Sequence, residues 1–193
     1  MLFTTTRAFN YQDELFMHHL NFTPFPVLYT NRLLLRQLQT ADAQAVFELR
    51  TDDAVNSLIG RKKATAIEEA YTFIENRNKD IADNKSLYWS VCLKDKPELT
   101  GTYCLFNFNK DLAVAEVGYE FLPAYRGQGL AKEALERVLQ YCFEPLQLKS
   151  VEAYVNKENI PSLRLLEKFG FAVNPERKDE HNTSNLILEL KRS

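Results

Sequence analysis

Tyr125-Arg126-Gly127-Gln128-Gly129-Leu130-Ala131 lies between a strand-like run ending at Phe121 and a run whose apolar stripe is Ala131, Leu135, Val138 and Cys142. The spacing of that stripe predicts a helix over Leu130–Phe143. Glycines at a strand-to-helix junction let backbone N–H groups converge without Cβ clashes. The first turn of the helix adds unpaired N–H groups and partial positive charge. Together they can cradle a pyrophosphate, with Arg126 and Lys132 adding charge. The spacing is neither G-x-G-x-x-G nor G-x-x-x-x-G-K-[ST], so dinucleotide and Walker readings fail. On these residues alone, an anion-binding strand–loop–helix and a ligand-free glycine turn both stand.

Working upstream, three runs alternate with period two. They are Leu87–Leu93, Thr100–Phe108 and Val114–Phe121, separated by the turn residues Asp95-Lys96-Pro97-Glu98 and Asn109-Lys110-Asp111. This predicts an antiparallel meander. Leu33–Leu38 reads as an earlier strand. Thr40 is expected to cap a helix to about Arg50, carrying Ala45, Val46 and Leu49 inward. Thr65 and Glu68 match a capping box, opening a helix with Ile67, Ala70, Ile74 and Ile81 on one stripe and ending near Asp83.

Downstream, the helix over Leu130–Phe143 leads to a strand at Val151–Val155, which implies a parallel, right-handed crossover. Asn159-Ile160-Pro161 opens a further helix that Gly170 ends. Phe171–Val173 and Asn185–Leu190 close the sheet across a polar loop, residues 174–184. The fold class is α/β, as an α+β mixed sheet of about seven mostly antiparallel strands with four main helices.

The chain has 193 residues, long enough for one domain with its own core. Lys and Arg number 24 against 26 Asp and Glu, a net charge of −2 that argues against sequence-independent nucleic-acid binding. No apolar run reaches the roughly 18 residues of a membrane span, and the N-terminus lacks a signal-peptide pattern. Cys92, Cys104 and Cys142 are far apart and form no metal-ligand spacing, so no metal is expected. Their odd number points to reduced thiols in a cytoplasm. Residues 1–27 are expected to be an aromatic-rich extension before a domain at 28–193. They carry Phe3, Phe9, Phe16, Phe22 and Phe25, and a short helix is expected over Asp13–Leu20. The extension either packs its aromatics on the domain or a partner chain, or is partly disordered. Adjacent His18 and His19 point about 100° apart on a helix and make a poor chelate.

Arg126-x-x-Gly129-x-Ala131 matches the [Q/R]-x-x-G-x-[G/A] acetyl-CoA signature of the GCN5-related N-acetyltransferase (GNAT) superfamily, which the chain resembles over about residues 28–192. Further stretches resemble the RimJ/RimL-like branch, which acetylates ribosomal-protein N-termini. These are Thr30–Arg36, Ala115-Glu116-Val117-Gly118-Tyr119-Glu120-Phe121, and Asn156-x-x-Asn159-x-x-Ser162 leading to Leu165-Leu166-Glu167-Lys168-Phe169-Gly170-Phe171.

The resemblance implies a sheet splayed between Val114–Phe121 and Val151–Val155, the family's fourth and fifth strands. It implies acetyl-CoA as co-substrate, with its pantetheine arm in that gap near Phe121 and Leu122. The pyrophosphate would meet N–H groups of Arg126, Gly127, Gln128, Gly129, Leu130 and Ala131, and Asn159 would contact the arm from the far side. The expected activity is acetyl transfer to a primary amine, a protein N-terminal α-amine, by direct attack in a ternary complex. Two alternatives are a coenzyme-A-binding module without catalysis and an acetyltransferase of a small amine such as a polyamine, amino acid or antibiotic. The protein is expected as a monomer or homodimer.

An α-amine has pKa near 8, so deprotonating it near neutral pH needs only a modest base, which can act through water. Glu116 and Glu120 are the candidates. Strand alternation puts both on the face opposite Val117, Tyr119 and Phe121, unless the bulge usual in the family intervenes. Glu116 is favoured because it matches the branch's acidic position. A backbone N–H near Phe121 would meet the oxyanion. The tyrosine that serves as acid in much of the superfamily is replaced by Leu166, and Ser162 matches the serine that the branch uses at the thiolate. Acceptor choice would fall to loops 50–65 and 174–184, where Arg61-Lys62-Lys63 is either a steering patch for acidic peptide or a solvated turn.

Overall fold

The computed structural model describes residues 20–109 and 113–192. Eight strands form one sheet: β1 (Leu28–Tyr29), β2 (Leu33–Gln37), β3 (Leu87–Leu93), β4 (Lys96–Asn109), β5 (Val114–Phe121), β6 (Ser150–Asn156), β7 (Ala172–Val173) and β8 (Asn185–Lys191). The helices are α1 (Ala43–Thr51), α2 (Asp53–Ile59), α3 (Glu68–Ala82), α4 (Leu130–Phe143) and α5 (Ile160–Lys168). The sheet order is β1-β2-β3-β4-β5-β6-β8-β7. Every neighbouring pair is antiparallel except β5 and β6. Both edge strands are two residues long, which limits the unpaired edge open to another chain.

Among the described residues, the expectation of about seven strands and four helices becomes eight and five. The added strand, β1, folds back on β2 with Leu28 opposite Leu35. The added helix, α2, follows α1 after a break at Asp52, whose carboxylate accepts from the Val55 N–H at 3.2 Å. Gly60, at φ +66°, ends it. Two capping expectations are corrected. Thr40 begins a 3-10 turn rather than capping a helix, and the Asp42 carboxylate reaches back to the Gln39 N–H at 2.8 Å. Arg36 from β2 holds both Asp42 oxygens at 2.8 Å and so fixes the carboxylate in place for this contact. At the start of α3, Glu69 rather than Glu68 accepts from the Thr65 N–H and hydroxyl.

The two faces of the sheet are covered by different helices. On one, α1 and α3 pack on β3 and β4, with the Phe73 ring edge-on to Tyr88. On the other, α4 crosses β1, β2 and β6 and buries Leu130, Leu135, Val138 and Cys142. Trp89 is fully buried there, with Nε1 donating to the Pro26 carbonyl at 2.7 Å and its ring edge-on to Tyr141. The described part of the N-terminal stretch packs on the domain. Phe22 is 1% exposed against Phe108, and Phe25 meets Trp89. The expected helix over Asp13–Leu20, except Leu20 itself, and the His18-His19 pair lie outside the described residues. Among the described residues no helix is long and apolar enough to cross a membrane.

Candidate active site

The parallel pair β5–β6 opens partway along its length. Its register holds for Val114↔Ser150, Ala115↔Val151 and Glu116↔Glu152 and then stops. β6 meanwhile stays paired to β8 through Asn156, and β5 to β4 through Phe121. The unpaired stretch of β5 is five residues, Val117–Phe121, or roughly 16 Å of strand. Backbone groups facing such a gap lose about 1–3 kcal/mol each if neither water nor a ligand meets them. The gap opens into a cavity of about 700 Å³ bounded by Val55 and Leu58 of α2, both strands, Asn159 just before α5 and Ser162 in its first turn, and Asp179 in the loop before β8.

The mouth of the gap is the loop read first in the sequence. Gly127 and Gly129 both adopt left-handed φ, +74° and +76°. A Cβ on Gly127 would meet nothing within 4 Å. Arg126 N–H donates to the Pro123 carbonyl and Leu122 N–H to Thr100. Among the described residues, the N–H groups from Gly127 through Lys132 have no protein acceptor. This run of free donors at a helix N-terminus fits a pyrophosphate. Its span narrows the expected cradle, because the first amide, that of Arg126, is already committed.

The Arg126 side chain is committed too. Its Nε donates to the Phe121 carbonyl at 2.8 Å and its Nη2 pairs with Asp52. Burial works against the Asp52 carboxylate, but Arg126 and the Val55 N–H outweigh it and hold its pKa below the ordinary range. Arg126 therefore ties the end of β5 to the cap of α2 instead of adding free charge to the loop. A cation missed in the sequence stands in its place. Arg32 Nη1 donates to the Gln128 carbonyl at 3.2 Å, and Nη2 lies 3.6 Å from where a Gly129 Cβ would sit. Glu133 in the first turn of α4 fixes Arg32 through Nε and its backbone N–H, and also accepts from Thr30. The signal was present in the motif Thr30–Arg36, but its partner lies 101 residues away.

β5 keeps unbroken register with β4 from Glu116 through Phe121, and the irregularity falls on β4 between Phe106 and Asn109. Glu116, Gly118 and Glu120 therefore share one face, and the expected interruption of their equivalence is not in this strand. Their surroundings still differ. Glu120 is held by Arg61 through both oxygens, at 3.2 and 3.0 Å. Arg61 is further fixed by Asn56 and the Leu49 carbonyl, and Lys63 pairs with Asp53, so this basic turn is largely neutralised at home. Glu116 has the Asn107 amide at 2.9 Å and, among the described residues, no cationic partner. Burial pushes its pKa up to about 6, with Glu152 and Asp179 adding repulsion and Asn107 opposing it.

On the opposite face, Tyr119 OH lies 2.7 Å from Ser162 Oγ. Ser162 stands in the first turn of α5, its N–H accepted by the Asn159 side-chain oxygen at 3.2 Å. That bond leaves the Asn159 amide nitrogen available to the gap. Leu166, where the superfamily's tyrosine would stand, is fully buried. Among the described residues no cluster of His, Cys, Asp or Glu could hold a metal ion.

The profile of the acetyltransferase (GNAT) domain matches residues 32–172. The uncharacterized N-acetyltransferase YoaA of Bacillus subtilis (strain 168) is 34% identical over 147 residues, 76% of this chain and 83% of that protein. Spermidine N-acetyltransferase from Vibrio cholerae, solved in complex with CoA and spermine, superposes with a TM-score of 0.68 at 25% identity, over 82% of this chain and 93% of that one. Mycobacterium smegmatis RimJ, solved with CoA-disulfide, shares the fold with a TM-score of 0.68 at 20% identity, over 86% and 87% of the two chains. The profile match runs through both walls of the split sheet and the loop at its mouth, and by it this chain belongs to the GNAT family of N-acetyltransferases.

Proposed function

We propose that the protein transfers the acetyl group of acetyl-CoA to the α-amine of a protein N-terminus. The observation that carries the coenzyme part is the run of N–H groups from Gly127 to Lys132 without a protein acceptor, at the open end of the β5–β6 gap. In this reading the amides of Gly127, Gln128, Gly129, Leu130 and Ala131 hold the diphosphate, with Arg32 beside them. The backbone of β5 up to Phe121 meets the pantetheine amides, and Asn159 meets them from the start of α5; Leu122 drops out, since its N–H is given to Thr100 and its carbonyl accepts from Tyr125. The thioester supplies the acetyl group.

Glu116 is the base. A carboxylate with pKa of about 6 is mostly ionised at neutral pH yet more basic than an ordinary glutamate. It takes the proton of the attacking amine, directly or through water. Glu120 is not assigned this role, since Arg61 holds both its oxygens. Ser162 donates to the departing thiolate.

The N-terminal acceptor is supported by the RimJ/RimL-like motifs at 30–36, 115–121 and 156–171. A second reading, a polyamine acceptor, draws on the likeness to the Vibrio enzyme and on Glu116 and Asp179. These carboxylates line the cavity without an ion pair to Lys or Arg among the described residues.

Thiol release from acetyl-CoA decides among them. Peptides beginning Ser, Ala or Thr should release coenzyme A, with mass spectrometry placing the acetyl on the α-amine. Turnover on spermidine with silence on every peptide selects the second reading. Tight coenzyme A binding without turnover on any amine leaves a binding module and overturns the catalytic reading.

A further inference from the structure

Two tyrosines face each other across β4 and β5. Tyr103 and Tyr119 are register partners, and their rings stack at 5.0 Å between centroids and 25° between planes. The Tyr103 hydroxyl donates to the Ala131 carbonyl in the first turn of α4 at 2.7 Å. The Tyr119 hydroxyl meets Ser162 in the first turn of α5 at 2.7 Å. The stacked pair thus ties the helix at the loop end of the gap to the helix on its far wall. Tyr103 is fully buried, so its ring cannot shift without disturbing the core.

The Tyr119–Ser162 contact holds one of the two hydroxyl protons, and the question is which. Each hydroxyl carries one hydrogen and can accept. A largely buried phenol whose proton finds no acceptor loses on the order of one hydrogen bond. Among the described residues, the acceptor at the Tyr119 hydroxyl is Ser162 Oγ. A phenol is also a far stronger donor than an alcohol. Tyr119 donates, Ser162 accepts, and the Ser162 proton is left to point away from Tyr119. Both side chains line the cavity between β5 and β6. Burial pushes the Tyr119 pKa up to about 12, so the donor stays protonated throughout the working range.

We infer that Tyr119 is a positioning residue for acetyl transfer, fixing Ser162 as a hydrogen-bond donor aimed at the sulfur of coenzyme A. This rests on the acetyltransferase reading above and assigns a part to a residue that reading leaves unused. In the step concerned, the amine lone pair forms the C–N bond and the C–S bond breaks with its electron pair going to sulfur. Ser162 O–H donates to that thiolate, and the proton shed by nitrogen passes through Glu116 to water. Tyr119 exchanges no proton; it restricts the Ser162 rotor.

The test is Tyr119→Phe, which keeps the ring and its stack on Tyr103 and removes only the hydroxyl, alongside Ser162→Ala and the double variant. Two readouts are taken: kcat for acetyl transfer, and the pKa of the coenzyme A thiol in the binary complex, followed by the ultraviolet absorbance of the thiolate. Expected are a fall in kcat of about tenfold in Tyr119→Phe, less than the ~10²-fold cost of deleting a direct anion donor. KM for acetyl-CoA and melting temperature should hold. The double variant should be no worse than Ser162→Ala alone, since residues acting as one unit are not additive. Bound thiol should titrate below free coenzyme A in the parent and return upward in both single variants. Unchanged kcat and thiol pKa in Tyr119→Phe overturn the inference while leaving the enzyme reading intact, as do losses that simply add in the double variant. A parent that transfers to no amine, yet depresses the thiol pKa in a Tyr119-dependent way, keeps the positioning of Ser162 at the sulfur but removes the enzyme reading and, with it, the part in acetyl transfer.

Discussion

Replacing Glu116 with Gln isolates the base from the fold. The amide oxygen of Gln still accepts from Asn107, and only the charge is lost. Burial raises the Glu116 pKa to about 6, above the roughly 4.3 of a glutamate in the unfolded chain. A carboxyl whose folded pKa is raised contributes stability below the unfolded value and loses it as pH rises through the folded one. The ionised side chain is therefore a burden on folding above that window, about pH 4.3 to 6, and the neutral Gln removes it. Glu116→Gln should melt no lower than the parent at pH 7, which separates any loss of activity from loss of structure.

The activity itself should fall by about 10²-fold, the lower end for a general base, because an α-amine is already about a tenth neutral at pH 7. The sharper measurement is the ratio of parent to variant kcat/KM across pH. Protonation of the acceptor amine cancels in that ratio. With a pKa of about 6, the ionised fraction drops about tenfold from pH 7 to pH 5, whereas an ordinary glutamate would lose only about a sixth. The ratio should fall about tenfold over that interval, with its midpoint near 6. A flat ratio, or a midpoint near 4.3, would refute both the role and the burial argument behind it.

Three other outcomes follow from the geometry. Gly127→Ala and Gly129→Ala should each cost about 1 kcal/mol of stability, since both residues hold left-handed φ. Coenzyme A affinity, measured by calorimetry, should fall further in Gly127→Ala, whose methyl enters space that no protein atom fills. Arg32→Ala should weaken coenzyme A binding and flatten its dependence on salt; an unchanged salt slope would show that Arg32 serves only Glu133. Phe22→Ala should lower stability by roughly 3–5 kcal/mol in urea unfolding, because Phe22 is a fully packed core residue. A loss under 1 kcal/mol would mean that the segment is an optional appendage.

Period and punctuation made most of the scaffold legible. The stripe Ala131, Leu135, Val138, Cys142 set α4 at the observed Leu130–Phe143, and alternation set β3 and β5 at their observed bounds. These signals are local, because burying one face of a helix or strand fixes residue types at a fixed interval. Shorter elements carried less of that signal. α2 spans seven residues, and its marks were a cap at Asp52 and a glycine at Gly60. The opening of the sheet was implied by family likeness and not by the pattern of β5, where apolar residues alternate alike through the paired and parted stretches.

The candidate site divides along the same line. The sequence by itself determined a loop rich in free amides, two acidic residues on one strand face, and a serine near a helix start. Family likeness favoured Glu116 over Glu120, but only the tertiary structure supplied the physical difference, Arg61 on Glu120 from 59 positions away, and turned Arg126 to Asp52, 74 positions off. It also brought Tyr119 to Ser162 across 43 residues. Ion pairs and hydroxyl contacts depend on distances of a few ångströms between separate elements, and these are fixed when α1, α2 and α5 pack on the sheet; no periodicity along the chain encodes them.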